Sequence, residues 1–153
     1  MLKLRKMKKK DYAAVEHLMQ QLQRVHIAGR PELYQPMQHC LTEYFFESLL
    51  TNEDVIALLA EDMGAVVGVC IVSMLTQSGS VRMKTAYVDE LVVDEPHRRT
   101  GIGSALLAEA ERLSKKRGAK RLDLTVWSFN ETAISVYEKY GMTPQRIIYE
   151  KAL

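Results

Sequence analysis

Three groups of residues in this chain have the types and spacing to do chemistry. Asp89 and Glu90 are adjacent carboxylates inside an otherwise apolar, β-branched run over residues 87–93. Carboxylates held among apolar neighbours are candidates for accepting a proton or gripping a cation. Downstream, Arg98-Arg99-Thr100-Gly101-Ile102-Gly103-Ser104 joins two guanidinium groups to a glycine-bearing loop. Glycines let the free N–H groups of a helix start approach a ligand closely. With the helix dipole and the arginines, those donors form a site for a phosphate or pyrophosphate. The third group is Asn130 and Tyr137, a capping amide and a phenol seven residues apart.

The loop is not one of the common nucleotide loops. A Walker A loop needs Gly-Lys-Ser/Thr, and here Gly103 is followed by Ser104 and Ala105. A dinucleotide fingerprint wants Gly or Ala where Leu106 stands, and a tight apolar turn where His97-Arg98-Arg99 stands.

The flanking patterns say which elements must hold these groups. Residues 85–93 read as a strand stopped by Pro96, which donates no ladder hydrogen bond. Ile102, Leu106, Ala110 and Leu113 then mark one face of a helix ending near Gly118. In a regular strand Asp89 and Glu90 point to opposite faces, so one alone meets a substrate unless a β-bulge re-aims the pair. Asn130 is a good N-cap, Glu131 suits the positive helix start, and Ala133, Val136, Tyr137 and Tyr140 share a face that Gly141 can terminate.

Elsewhere the spacing predicts a strand over residues 2–7 and a helix from Asp11 through Val15, Leu18, Met19, Leu22 and Val25. A second helix carries Leu41, Tyr44, Phe45, Ser48 and Leu49 on one face. Strands over 55–60 and 65–75 follow, then a turn at 77–80. A strand over 121–126 and a last strand or hairpin arm over 146–151 complete the chain. Trp127 reads as a packed strand end. With 153 residues the chain is expected to be one domain over 1–153.

Composition narrows the function classes. A net charge of +2 gives no reason to expect nucleic acid, and the basic N-terminus alternates with Leu2, Leu4 and Met7 like an edge strand. No apolar run is long enough for a membrane span or signal peptide. Cys40 and Cys70 are far apart, and neither they nor the four histidines show metal-ligand spacing, so no metal is expected. Reduced cysteines without a targeting segment point to the cytoplasm.

The pattern Arg98-x-x-Gly101-x-Gly103 resembles the coenzyme A pyrophosphate loop of the GNAT superfamily of N-acetyltransferases. Asn130-x-x-Ala133-x-x-x-Tyr137-x-x-x-Gly141-Met142 looks like its second signature, with Met142 for the usual Phe. The resemblance implies an α/β fold with a mixed sheet of six or seven strands and about four helices, splayed between strands 4 and 5. It implies acetyl-CoA as co-substrate, docked by Arg98, Arg99, Thr100, Gly101, Ile102, Gly103 and Ser104. The backbone of Leu91, Val92 and Val93 would hold the pantetheine arm and supply an oxyanion donor, with Asn130 beside that arm. Tyr137 would be the general acid toward the CoA sulfur, and Glu90 or Asp89 the base. The implied reaction is acetyl transfer to a primary amine, on a small molecule or a peptide, by direct attack in a ternary complex. A non-catalytic acyl-CoA-binding regulatory module is the alternative. Homodimers are common in the family, and no residue here proves one.

Overall fold

The computed structural model describes residues 1–76 and 83–153, so the turn expected at 77–80 lies outside the described residues. Strands β1 (Lys3–Lys6), β2 (Val55–Asp62), β3 (Ala65–Thr76), β4 (Lys84–Val93) and β5 (Arg121–Leu124) form one sheet in that order. Pairing is antiparallel from β1 to β4, and β4 and β5 are parallel. A parallel pair needs a crossover, which α3 (Ile102–Lys116) supplies. Helices α1 (Tyr12–Gly29) and α2 (Glu43–Thr51) cover one face of the sheet. The other face carries α3 and α4 (Glu131–Tyr140).

Because both faces are covered, β2 and β3 are near-continuous apolar runs. Leu58, Cys70 and Val72 turn toward α3, where Leu106, Leu107 and Ala110 are fully buried. Leu59, Val69 and Ile71 turn toward α1, meeting Val15, Leu18 and Met19. In α2 the buried side chain is Phe46, whereas Tyr44 and Phe45 are 86% and 55% exposed. The face expected from Leu41, Tyr44 and Phe45 is thus off by one position. Leu41 precedes the helix, whose N-cap Thr42 accepts from the Phe45 amide, and this start point rotates Phe46 inward.

Five strands are found among the described residues, not six or seven. The strand expected at 121–126 ends at Leu124, and residues 146–151 join no ladder although their composition suits one. The expected separation of strands 4 and 5 is present. β5 pairs with Thr85, Ala86, Tyr87 and Val88 only, so the second half of β4 has β3 on one side and no strand on the other.

Candidate active site

That unpaired half of β4 is where the carboxylates sit. Against β3, Val88 faces Val72 and Glu90 faces Ile71, so two steps on β4 match one on β3 and Asp89 is the extra residue of a β-bulge. The faces change accordingly. Val88 belongs to the α3-side core and Val92 to the α1-side core, although residues four apart in an unbroken strand share a face. Asp89, next to Val88 and pointing the opposite way, therefore lies on the α1 side, and Glu90 shares that side with Val92. Ser73, on the same side of β3, donates its hydroxyl hydrogen to Asp89 Oδ2 at 2.5 Å. The bulge brings both acids to one face.

The two carboxylates are not equivalent. Glu90 is half-buried, and burial together with the neighbouring Asp89 charge pushes its pKa up to about 7. Asp89, the more exposed, is raised by burial against the opposing pull of Ser73. On α4, burial pushes the Tyr137 phenol up to about 12, with the Cys70 and Glu90 charges adding to it. Tyr137 packs against the α3-side core, and its hydroxyl makes no hydrogen bond among the described residues. Near neutral pH the Glu90 carboxyl is thus poised to change state, whereas the Tyr137 phenol keeps its proton.

After β4 the chain turns through a 3₁₀ segment, Glu95–His97, into α3. Arg99 and Gly101 both have positive φ, 65° and 86°, and Gly101 is the N-cap of α3 with no side-chain bond covering the first amides. The Ala105 amide is the first to return to the helix, to the Gly101 carbonyl, which leaves the Ile102, Gly103 and Ser104 amides free. Gly101 owes its place to backbone conformation. A Cβ on Gly103 would meet only Val93, at 3.6 Å. Free amides at the start of a helix suit an anion. The two arginines separate. Arg98 turns back, its Nε donating to the Val93 carbonyl at 3.1 Å, while exposed Arg99 makes no hydrogen bond or ion pair among the described residues. Thr100 closes the loop onto the His97 carbonyl, and His97 pairs with Asp94 at 3.0 Å.

Beneath the loop lies a residue that motif reading passes over. Gln21 of α1 is buried, donates to Asp94 Oδ1 at 2.6 Å and accepts from the Glu95 amide at 3.0 Å. It anchors the strand-to-loop junction to α1. Burial raises the Asp94 carboxyl, but hydrogen bonds to Gln21 and His97 more than offset that, and it sits below its ordinary value. The signal was there: Gln21 falls in the apolar stripe three residues after Leu18 and four before Val25.

Asn130 caps α4, its Oδ1 accepting from the Ala133 amide at 3.2 Å, and Gly141 ends it at φ 99°. Trp127 is more than a strand end. Its Nε1 donates to the Tyr34 hydroxyl at 2.9 Å, Arg30 lies over its ring at 4.7 Å, and Phe129 stacks alongside. These contacts join the end of α1 to the loop after β5, where Tyr87 and Thr125 share a hydroxyl hydrogen bond of 2.5 Å. On α2, Tyr44 faces outward and Glu47 pairs with Lys9 at 2.8 Å.

Known proteins share this fold. The family model described as the acetyltransferase (GNAT) family matches residues 15–142. Among curated proteins, the uncharacterized N-acetyltransferase YhfO of Bacillus subtilis is 34% identical over 100 residues, 65% of this chain and 66% of YhfO. The chain spans between 46% and 66% of the lengths of the three curated relatives matched over at least 100 residues. A mutant of the BH1408 protein of Bacillus halodurans has the same fold, with a TM-score of 0.95 at 23% identity over 99% of each chain. The aminoglycoside N-acetyltransferase AAC(6')-Iy, solved in complex with CoA, superposes with a TM-score of 0.76 at 16% identity over 99% of each. The chain belongs to the GNAT family of acetyltransferases.

Proposed function

We propose that residues 1–153 act as one N-acetyltransferase domain that moves an acetyl group from acetyl-CoA to a primary amine. The observation that carries the reading is the β-bulge that brings Asp89 and Glu90 to one face of β4, on the half that β5 leaves unpaired and just before the free amides at the start of α3. In this reading the free amides of Ile102, Gly103 and Ser104, with Arg99, hold the pyrophosphate of acetyl-CoA. The unpaired edge of β4 from Leu91 to Val93 takes the pantetheine arm in strand fashion, with Asn130 beside it. A free amide on that edge stabilises the developing oxyanion.

Glu90 removes a proton from the ammonium of the acceptor, directly or through water. The neutral amine attacks the thioester carbonyl, the tetrahedral centre collapses, and Tyr137 gives its proton to the departing thiolate. Asp89, on the same face and tied to Ser73, supplies negative charge where a cationic acceptor enters. The Tyr34, Trp127 and Phe129 cluster with Arg30 walls the same opening. Both small-molecule amines, as the name of the aminoglycoside enzyme suggests, and peptide amines fit that chemistry.

The test is a thermal shift with acetyl-CoA, CoA and ATP, followed by a thiol-release screen over amines and peptides. Ligand at about a hundred times Kd adds roughly 2.7 kcal/mol of stability. Stabilisation by both CoA species, lost in a Gly101→Glu, Gly103→Glu variant, supports the loop assignment. No shift with the wild-type protein sinks it, and binding without turnover on any amine leaves only a CoA-binding module.

A further inference from the structure

A cavity of about 450 Å³ opens at the start of β2, between the C-terminal end of α2 on one face of the sheet and that of α3 on the other. Sites for small molecules span roughly 300–1,000 Å³. Ile56 and Leu58 of β2 are buried against it, whereas Leu49, Leu50, Val55 and Leu113 stay half-buried, an apolar wall left in contact with water. The cavity shares no residue with the β4–β5 opening. It also lies at the far end of the 15-residue helix α3 from the glycine loop, about 22 Å away at 1.5 Å per residue.

Every polar side chain on the wall offers a donor. Lys6, Lys116 and Arg117 are exposed at the rim and make no ion pair among the described residues, although the adjacent Lys115 is paired with Glu111. No carboxylate lines the cavity. Asn52 Oδ1 accepts from the Asp54 amide at 2.9 Å, which leaves its amide hydrogens to spare. Arg117 Nη1 donates to the Glu53 and Val55 carbonyls at 2.8 and 3.3 Å, so the guanidinium is held in place with Nε and Nη2 unused. The carbonyl ends of two helices are a reason for basic residues here, but each amounts to about half an elementary charge, and three cations overbalance them. The edge of β2 leaves no room for an added peptide strand: β1 pairs as far as Leu58, the Met7 amide takes the Ala57 carbonyl, and Asn52 and Arg117 take the Val55 amide and carbonyl. We propose that this cavity binds a small aliphatic monocarboxylate. Its carboxylate meets the Arg117 fork and Lys116, and its chain covers the wall of Leu49, Leu50, Val55 and Leu113.

Titration calorimetry of octanoate into the full chain, with octan-1-ol as the uncharged probe and far-UV circular dichroism as the folding control, tests this independently of any activity. Octanoate is expected to bind one per chain, with the same affinity in the presence of saturating CoA. Octan-1-ol, which lacks the charge, should bind about tenfold more weakly, the scale of one charged hydrogen bond. A Lys6→Gln, Lys116→Gln variant, which leaves the backbone bonds of Arg117 in place, should lose a similar factor for octanoate and nothing for octan-1-ol. Leu50→Trp, which fills the cavity, should abolish binding of both with an unchanged spectrum. No binding of octanoate to the wild type overturns the proposal. So does equal affinity for the two probes, or binding that both variants leave unchanged. Octanoate displaced by CoA would place the chain at the CoA site and overturn it as well.

Discussion

A phenol raised to about 12 keeps its proton at any pH where the protein is assayed, whereas a carboxyl at about 7 changes state in the middle of that range. The pH profile should therefore carry one limb from Glu90. The logarithm of kcat/KM is expected to rise through pH 7 and level off above it, and Glu90→Gln should flatten the limb and cost about 10²–10⁴-fold at pH 8. Glu90 also leaves a mark on stability. Below its ordinary value of 4.5 the side chain is protonated whether the chain is folded or not. Between 4.5 and about 7 the unfolded chain gives up the proton and the folded chain keeps it, so stability falls as pH rises through that window. Denaturant titrations at pH 5 and pH 8 should show this decline in the wild type and a smaller one in Glu90→Gln. Tyr137→Phe is expected to leave acetyl-CoA binding intact and lower kcat by a similar factor, measured by thiol release. Equal kcat in the two proteins would remove the phenol from the mechanism. These residues were legible as chemistry in the sequence because each interrupts or completes a pattern. Ser73 and Thr125, which hold Asp89 and Tyr87, were not: a hydroxyl on a strand carries no local sign of what faces it.

At the scale of elements, the helix α3 and its loop were read with little error, since glycine, proline and apolar spacing all mark the same boundaries. The short elements were harder. Four residues of β5 and nine of α2 give too few repeats for periodicity to fix a frame, and in α2 the capping Thr42 decided which phenylalanine went inward. The tail at 146–151 has the composition of a strand, but a ladder needs a partner that composition cannot supply. The junction between β4 and α3 depends on Gln21, whose loss leaves the Asp94 carboxylate and the Glu95 amide each short of a partner. Gln21→Ala is expected to destabilise the fold by about 1–3 kcal/mol. It should also raise the KM for acetyl-CoA more than it lowers kcat, because it frees the loop and leaves the acid and base in place. A Gln21→Ala enzyme with wild-type KM would show that the loop holds itself.

For the whole molecule, acid sensitivity is set far from the chemistry. Arg5 of β1 makes a bidentate pair with buried Asp11 at 2.8 and 2.9 Å and a third bond to Glu61 at 2.6 Å, tying the first strand, the entry to α1 and β2 together. The Arg5 hydrogen bonds hold the Asp11 carboxyl below its ordinary 3.8 against the opposing effect of burial. That contribution is present above 3.8 and is lost as pH falls through the depressed folded value. Asp11→Asn should cost about 3 kcal/mol at neutral pH, since it leaves a mostly buried guanidinium with one partner fewer. Its stability should then change less than that of the wild type on acidification below pH 4, as thermal melts would show.

The extra residue in β4 also bears on how this site could be moved or copied. Upstream of Asp89 the strand is written in one reading frame of inward and outward positions, and downstream in the other. Excising Asp89 would leave a strand that pairs with β3 without interruption and still presents Leu91 and Val93 to α3 and Val92 to α1, but it would keep Glu90 as the one carboxylate on the α1 face. A graft of the carboxylate pair onto another sheet must therefore carry the frameshift with it, and a family alignment that closes this one-residue gap would misassign every position that follows.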